Sequence, residues 1–138
     1  MMMSALVAAI GFSACAQKLD ASKVPASVKA AFAKQFPKTT VKWEKEDGKY
    51  EAGFKQNGNT MSALFETNGT MTESEMDIKV TDLPASVLSY VKEHYKGKRI
   101  KEGAKITKAD GTVNFEAEVD GKDVIFDATG KFLKEVKE

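Results

Sequence analysis

A chain of 138 residues, 42 % hydrophobic and 30 % charged, has the composition of a globular protein of one domain or two very small ones, not of a disordered or fibrous chain. Its 21 lysines and arginines nearly cancel its 20 acidic residues, and a formal net charge of +1 gives no reason to expect nucleic acid or a strongly anionic partner. One cysteine, Cys15, excludes an internal disulfide; one histidine, His94, excludes the usual clustered-ligand metal sites; and no apolar run reaches the roughly 20 residues of a membrane-crossing helix.

Residues Met1 to Ala16, MMMSALVAAIGFSACA, carry no charged side chain and end in small residues. That pattern is the apolar core and cleavage region of a secretory signal, although the usual basic n-region is missing. Phe12-Ser13-Ala14-Cys15 resembles a bacterial lipobox, which implies a diacylglyceryl group on the Cys15 thiol and Cys15 as the mature N-terminus. Ala14-Cys15-Ala16 equally reads as an ordinary A-x-A site, with cleavage before Gln17. In a folded segment Cys15 would instead be a small buried hydrophobe. Residues 1–16 are therefore expected to be a signal or lipoprotein signal peptide, with membrane contact only through a lipid on Cys15.

Val24 to Phe32 reads VPASVKAAF and Leu83 to Val91 reads LPASVLSYV, one phrase written nearly twice, 59 positions apart. Proline at a helix start loses no hydrogen bond and brings a preset φ, so Pro25 and Pro84 each open a helix. Asp82 adds negative charge near the second N-terminus. Val24, Val28, Phe32 and Phe36 recur every fourth residue, as do Leu83, Val87, Val91 and Tyr95, and Ala31 and Tyr90 widen the stripes. Pro37 ends the first helix and Gly97 the second.

After each helix the period falls to two. Asp47-Gly48 supplies a tight hairpin that pairs Trp43 with Ala52 and Val41 with Phe54. Asn57-Gly58 pairs Phe54 with Met61 and Tyr50 with Phe65, and the loop Thr67-Asn68-Gly69 brings Met71 opposite Phe65. In the second half, Asp110-Gly111 sets Ile106 against Phe115 and Ala104 against Ala117. Asp120-Gly121 then sets Phe115 against Phe126, and Ala128-Thr129-Gly130 sets Phe126 against Phe132. Every turn keeps one face apolar. The expected fold class is α+β: a tandem repeat of a helix plus a four-stranded antiparallel meander, residues 17–80 and 81–138. The helices are expected on one face of the sheet or sheets, with solvent on the other. A unit of about 55 residues is marginal alone, so the copies are expected to form one compact unit, sharing a core or joining edges.

The phrase V/L-P-A-S-V continues as VKWEKEDGKYEAGFKQNG in the first copy and as GTVNFEAEVDGKDVIFDATGKFLK in the second. Together these resemble the PepSY-like family of exported bacterial proteins, whose tandem units look like the β-lactamase inhibitory protein fold. The resemblance covers residues 24–138 and rests on helix starts, turn glycines and an aromatic core, not on catalytic motifs. It implies a periplasmic or envelope binding protein without enzymatic activity. Related modules in peptidase propeptides imply inhibition or regulation of proteases. The β-lactamase inhibitor plugs its enzyme with a concave sheet and loops, but its inhibitory residues match no position of this chain.

No residue pattern suggests a reaction. His94, three positions after Val91, reads as a partly exposed helical histidine with no Ser, Cys or Asp arranged about it in sequence. The Asp-Gly pairs lack the alternating oxygen ligands and terminal Glu of a calcium loop, and turn chemistry explains them. There is no phosphate-cradling Gly-rich loop, and no cofactor is expected. Trp43 shares the face of Val41 and Phe54 and reads as core. Lys96 to Lys105, KGKRIKEGAK, is the one basic concentration and most simply a solvated connection.

The face opposite the helices is the candidate for a partner. Lys42, Glu44, Glu51, Ser62 and Leu64 project there from the first copy. From the second come Lys101, Lys105, Asn114, Glu116, Glu118, Ile125 and Leu133. Leu64, Ile125 and Leu133 interrupt an otherwise charged face, with Ile125 expected opposite Glu116 and Leu133. An apolar spot in a charged face is what a moderate protein-binding surface looks like, or one covered by the N-terminal segment or the other copy. The expected function is a non-enzymatic exported binding protein of the envelope, in the periplasm or on the outer membrane. An unknown protein or peptide is its partner, and inhibition or regulation of an extracytoplasmic enzyme such as a peptidase its specific form. The alternative is a binder of a small anionic ligand or envelope component in the inter-repeat cleft.

Overall fold

The structure is a computed structural model that describes residues 17–137; the signal segment and Cys15 lie outside the described residues. In chain order the strands are β1 (Gln17–Leu19), β2 (Lys42–Glu46), β3 (Lys49–Gln56), β4 (Asn59–Phe65), β5 (Met71–Ile78), β6 (Ile100–Lys108), β7 (Val113–Val119), β8 (Lys122–Asp127) and β9 (Phe132–Lys137). Helix α1 (Ala26–Gln35) follows β1 and α2 (Ala85–His94) follows β5, each preceded by a 3-10 turn.

The expected tandem repeat of a helix with a four-stranded meander is corrected here. The strands form one nine-stranded antiparallel sheet, with neighbours in chain order from β1 to β9, and only two ten-residue α-helices accompany it. Turn chemistry and side-chain alternation fix each hairpin but do not mark where a sheet ends, so the strands could not be grouped from sequence. Strand β1 is an addition: Leu19 pairs with Trp43 and Lys18 with Glu44. Three residues with a single large apolar side chain are too short for a period of two to show.

By its contacts the described chain divides into two compact units, residues 17–75 and 76–137. In the first, Val24, Val28, Phe32 and Phe36 bury their stripe against Trp43, Phe54 and Phe65. The Phe32 ring meets Phe54 at 5.1 Å and Trp43 at 5.5 Å, both edge-on, a favoured aromatic geometry. In the second, Leu83, Val87 and Val91 pack on Ala117, Val119, Val124 and Phe126. Phe65 and Phe126 are both fully buried. Pro25 and Pro84 stand one position ahead of the first helical residue, each at φ −54°.

The serine of each repeated phrase has a task that periodicity does not reveal. Ser27 Oγ donates to the carbonyl of Thr67 at 2.7 Å, and Ser86 Oγ to that of Thr129 at 3.0 Å. Each helix start is thereby tied to the turn that follows the third strand after it.

The pairings of β2 with β3 and of β3 with β4 keep the expected register: Trp43 faces Ala52, Phe54 faces Met61 and Tyr50 faces Phe65. Phe115 faces Phe126, and Phe126 faces Phe132. The hairpin after β6 differs by one residue. Asp47, Asn57 and Asp120 take positive φ (49°, 52° and 52°), as two-residue loops require, and Asp110 is absent from that set. Its carboxylate instead accepts from Thr112 N at 2.8 Å, and Lys108 N donates to Thr112 O at 2.8 Å. The loop is therefore Ala109-Asp110-Gly111, with Gly111 at φ 87° in the left-handed position. Lys105 faces Phe115, and Ile106 and Ala104 face Asn114 and Glu116. Both apolar side chains thus lie on the sheet face away from α2.

Candidate functional site

Two rows of side chains cross that face in each unit. In the first unit Glu44, Glu51 and Leu64 stand side by side on β2, β3 and β4, next to Lys42, Gly53 and Ser62. In the second, Ala104, Glu116, Ile125 and Lys134 form one row, and Glu102, Glu118, Asp123 and Val136 the next. Carboxylates therefore oppose carboxylates directly at Glu44–Glu51, Glu102–Glu118 and Glu118–Asp123, an arrangement that weakens an antiparallel pair.

The expectation of a wet face holds only at its margins. Lys42 and Lys101 are exposed, and Leu133 is the exposed large hydrophobic residue, at 49 %. Glu44 is half-buried, whereas Glu51, Leu64, Glu116, Glu118 and Ile125 are buried. Leu64, Ala104, Ile106 and Ile125 give the face apolar surface to bury alongside its carboxylates. Leu133 does not stand opposite Ile125. The ladder slips between Ile125 and Phe126, so Ile125 faces Lys134 and Leu133 falls in the irregularity. Lys101 is likewise passed over between Ile100 and Glu102, with its Nζ 3.8 Å from Glu118. Lys105 leaves the face through the one-residue shift at the hairpin that follows β6.

Burial dominates the electrostatics. The Glu51 carboxyl is pushed up to about 8, first by desolvation and then by Glu44, Glu46 and Glu73. Glu46 is raised by burial, then by Asp47, Glu44 and Glu73. In the second unit burial raises Glu102, with Glu118 and Asp77 adding to it, and burial raises Asp77. In the first unit Glu46 and Glu73 lie near Glu51, and in the second Glu102 and Asp123 flank Glu118 with Asp77 near Glu102; none of these was among the residues expected on the face. The alternation Glu73-Glu75-Asp77 along β5 was the available signal. Among the described residues, no group of three or more His, Cys, Asp or Glu side chains is placed to hold a metal ion.

His94 stacks on Tyr90 at 3.9 Å with its Nδ1 3.0 Å from the Tyr90 carbonyl, and Tyr90 stacks in turn on Phe132 at 4.8 Å. Tyr95 donates its hydroxyl proton to Glu135, which also meets Lys122 at 3.5 Å. These contacts give both residues structural work at the end of α2. In the basic segment Lys96, Lys98 and Arg99 are exposed, and Lys98 meets Asp120 at 3.6 Å. No helix among the described residues is long and apolar enough to cross a membrane.

Similar folds occur in solved structures. A Bacteroides eggerthii structure described as "putative periplasmic proteins" superposes with a TM-score of 0.74 at 17 % identity, covering 81 % of this chain and 87 % of that one. A DUF2874 family protein from Bacteroides uniformis reaches 0.72 at 21 % identity, over 80 % and 87 % of the two chains. A BLIP-like protein from Bacteroides fragilis reaches 0.67 at 24 % identity, over 80 % and 84 %. Among curated proteins there is no match. The sequence model of the family described as "Putative beta-lactamase-inhibitor-like, PepSY-like" matches residues 13–73 and again 48–134, and the double match suggests a repeat. Over nearly its whole length, then, this chain belongs to the PepSY-like family.

Proposed function

We propose that this is a non-enzymatic, exported protein of the bacterial envelope that binds another protein or an extended peptide on the sheet face opposite its helices. Inhibition or regulation of an extracytoplasmic enzyme, such as a peptidase, is the specific form of that role. The observation that carries the reading is the placing of Leu64 beside Glu51 and Ile125 beside Glu116 in the strand ladders. Leu64 and Ile125 are themselves buried, so contact area comes from the exposed margin of Lys42, Lys101 and Leu133, while the carboxylates behind it give orientation. The family description and the periplasmic description of the Bacteroides eggerthii structure support an extracytoplasmic address. A lipid on Cys15 would hold the protein at the membrane, and fatty-acid labelling abolished by Cys15→Ala tests it. The anionic-ligand alternative is weakened by Lys98 and Lys101, which already meet Asp120 and Glu118 of the protein itself.

Photo-crosslinking in cells tests the binding face. A reactive residue at the exposed positions 42, 101 or 133 is expected to capture a partner, and one at the exposed helix positions 29 or 34 is not. Capture from the helix positions alone, or from none of the five, overturns the reading.

A further inference from the structure

Glu51 is the residue on this face that the fold itself least accounts for. It is 2 % exposed, and its buried Oε2 has no hydrogen-bond partner among the described residues. The Oε2 of Glu46, 9 % exposed, is in the same condition. Directly across the ladder from Glu51 stands Glu44, and Glu46 and Glu73 also lie near enough to act on its charge. A buried carboxyl without a partner, set among like charges, opposes folding on two counts. Places where a sequence breaks such local rules without internal compensation are where binding is expected.

Resting on the sheet-face reading above, we propose that the cluster of Glu44, Glu46, Glu51 and Glu73 receives a cationic side chain, an arginine or lysine, of the partner. Charge complementarity fixes the occupant's chemistry. A guanidinium offers five donors in a planar fork and can engage two carboxylates at once. The described acidic side chains do not converge as metal ligands do, so a long side chain with separated donors fits them better than a bare ion. Half-buried Glu44 on β2 is where solvent reaches the cluster, and Lys42, on the same face two residues before it, is exposed.

Butylguanidinium, the free counterpart of an arginine side chain, is the probe. It is titrated at about pH 9, above the range in which Glu51 releases its proton, into the protein carrying carboxyl-labelled glutamate, with neutral butylurea and calcium as comparators. Saturable movement of the Glu51 and Glu44 resonances is expected with butylguanidinium and not with butylurea. Glu51→Gln and, separately, Glu44→Gln should weaken it about tenfold or more, with amide spectra verifying that each variant is folded. Equal response to butylurea, undiminished binding by both variants, or calcium saturating the same carboxyls at lower concentration each overturns the proposal. The two readings fail separately. A partner still captured from positions 42 and 133, whose affinity is unchanged by Glu51→Gln, removes the acidic anchor and leaves the face reading standing. Loss of capture removes the face reading whatever butylguanidinium does.

Discussion

A Cβ placed on Gly69 would come within 2.7 Å of the Ser27 carbonyl oxygen, so the turn after β4 and the first turn of α1 meet backbone to backbone. Gly69 also holds φ at 92°. Gly69→Ala therefore combines left-handed strain with a clash that a flexible side chain cannot relieve, and is expected to cost about 2–4 kcal/mol. Urea denaturation measures it, and a loss below about 1 kcal/mol would show that the turn moves away freely.

The same junction carries the Ser27 hydroxyl bond to Thr67, and its counterpart joins Ser86 to Thr129. Both lie at exposed sites, so Ser27→Ala and Ser86→Ala should each cost only about 0.5–1.5 kcal/mol. The two bonds share no partner, so the substitutions should act additively, and the double variant in the same denaturation series tests that.

Lys38 offers a change in the other direction. It takes φ 57° just after α1, where the corresponding position after α2 is Gly97 at φ 77°. A residue with a Cβ is strained there, and Lys38→Gly is expected to stabilise the protein by about 0.5–1 kcal/mol. A lower melting temperature in the variant would contradict this.

Glu51 makes stability depend on pH. Its folded-state carboxyl is pushed up to about 8 from an ordinary 4.5. Between those values the folded protein holds a proton that the unfolded chain has released, so stability falls as pH rises. The contribution is complete below the unfolded value and is lost as pH climbs through about 8. Glu51→Gln mimics the protonated form and should flatten this slope. Above that range the variant is expected to be more stable than the parent by about 1–4 kcal/mol, and near pH 5 nearly equal to it. Denaturation at the two extremes decides it.

Much of the strand register was legible because Asp-Gly and Asn-Gly pairs fix two-residue loops and one buried face rejects slips. Asp110-Gly111 misled because the same dipeptide also closes a three-residue loop when the Asp carboxylate binds the backbone two residues on, as with Thr112. That single residue moved Ala104 and Ile106 to the other face. Leu133 was misplaced for a related reason: an irregular ladder step leaves no trace in the alternation of side chains. Strand pairing is local, so hairpins could be read. The continuation of one sheet through all nine strands is not local, so the sequence left a shared core and joined edges as open alternatives and grouped the strands in fours. On the candidate face Glu51 and Leu64 were found by parity alone. The crowding of Glu46 and Glu73 around Glu51 needed the register of strands distant in sequence.

Trp43, 5 % exposed and ringed by Phe32 and Phe65, is the single tryptophan of the chain and belongs to the unit of residues 17–75. Its emission therefore reports on that half alone, whereas far-ultraviolet dichroism reports on the whole backbone. The molecule carries its own internal dye: two melting curves from one sample, superimposed or offset, tell whether both halves come apart together.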